Sequence, residues 1–124
     1  MKTTLHAQFT QEHNEWKRKL EFFTQENAIL KYRLSEIVDN NEDKEFLQMA
    51  EHFQNEFLFK DDLLVKLKRE LQELFDQLNG LENERSIAEK IGCSQDMLRD
   101  DLIKFKKSFL HLSEEFNRRM LQSQ

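Results

Sequence analysis

No proline occurs in this 124-residue sequence, and glycine occurs only twice, at Gly80 and Gly92. A chain so poor in breakers argues against turn-rich sheet architectures and against low-complexity disorder. Cysteine occurs once, at Cys93, which rules out an internal disulfide framework. No uninterrupted apolar run approaches the roughly 18 residues a bilayer-crossing helix needs. The opening residues, MKTTLHAQFTQEH, hold no apolar core of the signal-peptide kind, so a cytoplasmic location is the expectation. Charge of one sign is also scarce in excess: the net charge is only −5. Broad nucleic-acid binding rests on neutralising phosphates with Lys and Arg, and a mildly acidic chain does not favour it. The basic runs Lys17–Lys19, Lys66–Arg69 and Lys104–Lys107 alternate with acidic stretches and read as solvated helix faces.

What is present is charge and periodicity. Charged residues make up 35% and hydrophobic residues 38% of the chain. One apolar ladder dominates: Phe46, Ala50, Phe53, Phe57, Leu64, Leu67, Leu71, Leu74, Leu78, Leu81 and Ala88, spaced by fours and threes, with Lys60 and Arg85 as interruptions. Such spacing is the seam of a long amphipathic helix packed on other helices. A first ladder precedes it. Its d positions, Phe9, Trp16, Phe23, Leu30 and Ile37, are all apolar; its a positions mix His6, His13, Leu20, Asn27 and Leu34. A third comprises Leu98, Leu102, Phe105, Phe109, Leu112 and Phe116.

The expected fold is therefore all-α: one domain, residues 1–124, forming an antiparallel bundle or coiled coil of three long helices at about 5–38, 43–91 and 95–121. Thr3 or Thr4 is the candidate cap of the first helix. Asn40 or Asn41 caps the second, with Glu42 and Asp43 in its first turn. The second helix has two candidate ends. Asn79-Gly80 followed by Leu81 resembles a C-terminal cap, yet the ladder keeps its phase through Gly80. The phase argument favours continuation to Ile91, with Gly92 as the terminator and Ser94 as the cap of the third helix. Acid-before-base pairs four residues apart, Glu15–Lys19, Glu56–Lys60, Asp62–Lys66, Asp100–Lys104, Glu114–Arg118 and Glu115–Arg119, support the helices from outside.

Those lengths do not match. At 1.5 Å per residue the helices span roughly 50, 73 and 42 Å, so the third reaches back only to about Leu64. The stretch Phe46–Lys60 becomes a two-helix arm. Phe22, Ile29, Leu47, Leu58 and Phe59 lie off its narrow seam, and contiguous exposed apolar surface marks an interface. These five residues are the predicted partner-binding site, and a second copy completing a larger bundle as a homodimer is the expected occupant; the alternative is a break at Gly80, which lets the third helix shift and cover the arm within one subunit. Ile103 and Leu110, seven apart on the third helix, add to the apolar surface outside a three-helix core.

No catalytic motif is present, and the chain calls for no enzyme activity and no cofactor. His6 and His13 lie two turns apart on one seam, but no histidine has Asp or Glu three residues before it, as a carboxylate-bridged metal bundle requires. His52 and His111, each with Glu four residues on, fall at outer positions. Asn27 at an a position is a register-setting residue, and Trp16 is core. Cys93 stands just before the expected third helix, where a thiolate is favoured, with no base beside it. The function expected is non-enzymatic protein–protein interaction or self-association of adaptor or scaffold type, without nucleic acid or membrane. The alternative is a metal-binding four-helix bundle using His6 and His13.

Overall fold

The computed structural model describes residues 4–81 and 83–122. It is an all-α three-helix bundle: α1 (Thr4–Asp39), α2 (Lys44–Asn79) and α3 (Glu84–Gln122). All three pairs of helices pack on each other, and no strand occurs among the described residues. With α1 antiparallel to α2 and α2 antiparallel to α3, α1 and α3 run parallel.

The caps explain where each helix stops. The α1 end tightens through backbone bonds from Asn40 and Asn41 to Ile37 and Val38, both 3.2 Å. Asp43, not Asn40 or Asn41, caps α2: it is extended (φ −70, ψ 124) and its carboxylate accepts from the Glu45 N–H at 3.0 Å. Asn41 serves one step earlier, accepting from the Asp43 N–H. Of the two candidate caps of α1, Thr3 lies outside the described residues and Thr4 is already helical. The Leu5 N–H at that end points to the Glu84 carboxylate, 3.4 Å away, so a residue of α3 supplies the anion that the helix start favours.

The second helix ends at Asn79, which corrects the expectation that it runs to Ile91. Gly80 keeps a right-handed conformation (φ −84, ψ −4), and bonds from Gly80 to Gln77 and from Leu81 to Leu78 close the end as tight i, i+3 turns. No left-handed glycine takes part. The third helix starts 11 residues earlier than expected, at Glu84 rather than at 95. Asn83 caps it, accepting from the Ser86 N–H at 2.8 Å while its carbonyl accepts from Ile87. Gly92, Cys93 and Ser94 are therefore helix interior, not a boundary. The ladder phase that crosses Gly80 is coincidental: Leu81 sits half-buried in the turn and Ala88 is exposed, while Ile87 and Ile91 are buried.

Equal helix lengths, 36, 36 and 39 residues, follow from that earlier start. No two-helix arm remains. The Phe46–Lys60 half of α2 is covered by the end of α3: Phe116 packs edge-on against Phe53 and Phe57, with centroids 5.4 and 5.2 Å apart. Phe23 of α1 meets Phe105 and Phe109 in the same manner at 5.5 and 5.3 Å. One continuous core runs the length of the bundle, from Ile87 and Leu78 at one end to Leu34 and Phe46 at the other.

Candidate interaction surface

Two polar ties between the parallel helices set the height at which their side chains meet. Near one end the Arg99 guanidinium grips both oxygens of Glu12 at 2.8–3.1 Å and lies over the Trp16 ring, 5.7 Å from its centroid. Its hydrogen bonds to Glu12 and Asp96 hold it still more firmly protonated than an ordinary arginine. Toward the other end Arg33 donates to Asn117 at 3.1 Å. Between these ties Phe22 and Leu110 stand level and line one groove of about 440 Å³.

This groove lies on the outer side of the α1/α3 seam. Phe22 is 54% exposed and Leu110 45%. Ile29 and Ile103, 52% and 48% exposed, lie a seven-residue step beyond this pair in opposite directions, Ile29 toward the C-terminal ends of the parallel helices and Ile103 toward their N-terminal ends. The rim is cationic: Arg18, Lys19 and Lys106 face a single acid, Glu15. None of those three cations forms a salt bridge among the described residues. Phe22 and Leu110, half in water and framed by cations that form no salt bridge among the described residues, suit a ligand that brings apolar and acidic groups together.

The five residues predicted to form one partner site do not come together. Phe22 and Ile29 belong to the α1/α3 face. Phe59 lines a separate groove between α2 and α3. Leu58 is exposed one turn before Asp61, which pairs with Lys31 of α1, so it flanks the α1/α2 seam. Leu47 is half-buried against the core. The sequence reading placed them on one arm because it made α2 too long. Leu110 and Ile103 are visible in the sequence as off-seam apolar positions, but the pairing of Leu110 with Phe22 needed the register of two helices far apart in the chain.

The histidine pair takes the seam positions expected of it. His6 is buried and within 3.3 Å of the Thr10 hydroxyl. His13 is buried and stacks on Phe75 of α2, centroids 4.0 Å apart at 14°. Burial, and then the charge of Lys17, push its pKa below the ordinary imidazole value, against the pull of Asp76. Among the described residues no group of three or more His, Cys, Asp or Glu side chains gathers as metal ligands would. Cys93 is exposed on the third turn of α3, away from the helix start. The basic runs divide: Lys17 and Lys68 share the α1/α2 groove beside His13, whereas Arg18 and Lys19 turn toward α3. No helix is long and apolar enough to cross a membrane among the described residues.

Compared with family models, with curated proteins and with solved structures, the chain matches none.

Proposed function

We propose that this protein is a non-enzymatic helical interaction module, of adaptor or scaffold type, whose α1/α3 face receives a partner helix. The observation that carries the reading is the groove of Phe22 and Leu110, with Ile29 and Ile103 one step beyond it on either side, left half-exposed beside the buried core. A bundle that needs no more apolar residues for stability gains nothing in folding from a Phe and a Leu on its outer wall. The cations at the rim favour a helix that is apolar on one stripe and acidic beside it. A homodimer in the cytoplasm is the form of this proposal that is simplest to test.

Sedimentation of the wild type beside a Phe22→Glu/Leu110→Glu variant decides it. The expected result is a wild-type assembly that the variant reduces to the 15.1 kDa chain, with unchanged helicity. A wild type that stays at the mass of one chain at 100 µM (about −5.5 kcal/mol of association by the usual conversion) eliminates self-association and leaves a different protein as the partner. The metal-binding alternative through His6 and His13 has less support, since among the described residues no further ligands gather with the two imidazoles. Metal analysis of untagged protein would revive it if a stoichiometric ion were lost in a His13→Ala variant.

A further inference from the structure

Lys60 interrupts the ladder of α2 at a core position, and its side chain is only 4% exposed. Its stem fills the seam between Phe57 and Leu64, and the amine emerges in the α2/α3 groove, where it donates to the Ser108 hydroxyl. The rings of Phe105 and Phe59 lie 5.8 and 6.0 Å from the nitrogen. No carboxylate reaches salt-bridge distance of this amine among the described residues. A buried ammonium without a carboxylate partner is costly, and the Ser108 hydroxyl and the two ring faces offset part of that cost. Burial does lower its pKa below the ordinary lysine range, and Glu56 only partly opposes this.

The groove above the amine has a volume of about 290 Å³. Phe59, Leu67 and Phe105 form its apolar walls; Lys66 and Lys104 stand at its rim beside Asp101. Lys66 leans toward Glu70 at 3.9 Å, while Lys104 forms no ion pair among the described residues. A lysine amine desolvated at the wall of a largely apolar groove is the arrangement that makes lysine a nucleophile toward carbonyl carbon. We propose that Lys60 is an imine-forming site for aldehydes that carry a flat apolar body and an anionic group, the body seated between Phe59 and Phe105 and the anion on Lys104 and Lys66. The nitrogen lone pair adds to the carbonyl carbon, a proton passes from nitrogen to the new alkoxide, and loss of water leaves the C=N bond. No oxidant or reductant takes part. A lysine that merely packs its stem through the core would react no faster than the exposed lysines.

The test treats the folded full-length chain with one equivalent of pyridoxal 5′-phosphate, an aromatic aldehyde bearing a phosphate, at pH 7.5. Borohydride then fixes any imine, and peptide mass mapping locates it among the twelve lysines. An ordinary lysine holds roughly one neutral amine in a thousand at that pH. The expected result is labelling of Lys60 at least about tenfold above the mean of the exposed lysines. Pyridoxal without its phosphate should label Lys60 less, and Lys104→Gln should lower labelling by the phosphorylated aldehyde only. Lys60→Met, an apolar side chain of similar length, should remove the label while keeping the helical melt. Label spread evenly over exposed lysines, or absent from Lys60, overturns the proposal. Equal labelling by the two aldehydes overturns the anionic part of it. Should Lys60→Met fail to fold, the wild-type label map decides alone.

Discussion

The side-chain amide of Asn27 donates to the backbone carbonyl of Phe57 across the α1/α2 interface, at 2.9 Å. The same amide donates to Asp61 at 2.7 Å, and Asp61 in turn holds Lys31. Asn27 is fully buried, and these bonds reach a helix carbonyl that already serves its own ladder. A slip of α1 along α2 by one turn would bury the amide against apolar side chains. Asn27→Ala should cost about 1–3 kcal/mol in urea unfolding, from lost bonds and a small cavity. Asn27→Leu should cost less than Asn27→Ala while broadening the amide spectrum or changing the oligomeric mass, because register loses its polar anchor.

The α2/α3 boundary can be tested at Gly92, Asn83 and Ser94. Gly92 lies inside α3 with open space where a Cβ would stand. Gly92→Ala should therefore stabilise the bundle by about 0.5–1 kcal/mol. Had Gly92 been a left-handed helix terminator, the same change would destabilise it. Asn83→Ala should cost about 1 kcal/mol by removing a cap, whereas Ser94→Ala, within the helix, should change stability by less than about 0.5 kcal/mol. Thermal or urea melts of the three variants check this.

Phe57 and Phe116 meet edge-to-face, and this contact exists only because α3 starts at Glu84 and so reaches the first half of α2. A double-mutant cycle with Phe57→Leu and Phe116→Leu should return a coupling of about 0.5–1.5 kcal/mol. A coupling near zero would mean that the two rings do not touch.

His13 makes stability fall on mild acidification. Burial depresses its folded pKa below the unfolded value of about 6.5, so between the two values the unfolded chain binds more protons. Stability is present above the unfolded value and is lost as pH falls below it, until the folded imidazole itself takes a proton. The melting temperature should drop between about pH 7.5 and pH 5.5, with the slope reduced in His13→Gln. A slope unchanged in that variant would assign the effect to another group.

The helical class, the three ladders and the core roles of Trp16, Asn27 and phenylalanines such as Phe23, Phe53, Phe57, Phe105, Phe109 and Phe116 were legible because each rests on local spacing. Helix periodicity places a residue on a face whatever the face later meets. The second boundary was not legible for a related reason. The ladder kept its phase across Gly80, and phase alone cannot tell a continuous helix from two helices joined by a turn of fitting length. The cap Asn83 with Glu84 behind it, and the buried steps Ile87, Ile91 and Leu98, carried the missing signal.

The sequence by itself determined that amphipathic helices would bury their apolar stripes against other helices, since a lone helix of this pattern leaves its stripe in water. Only the tertiary structure decided their register: matched lengths closed the supposed arm around Phe53 and Phe57, sent Phe22 and Phe59 to different grooves, and put Lys60 against Ser108. Those pairings depend on contacts between helices far apart in the chain. A shift of a few residues in one turn moves every side chain at the far end by several ångströms without altering a single local periodicity.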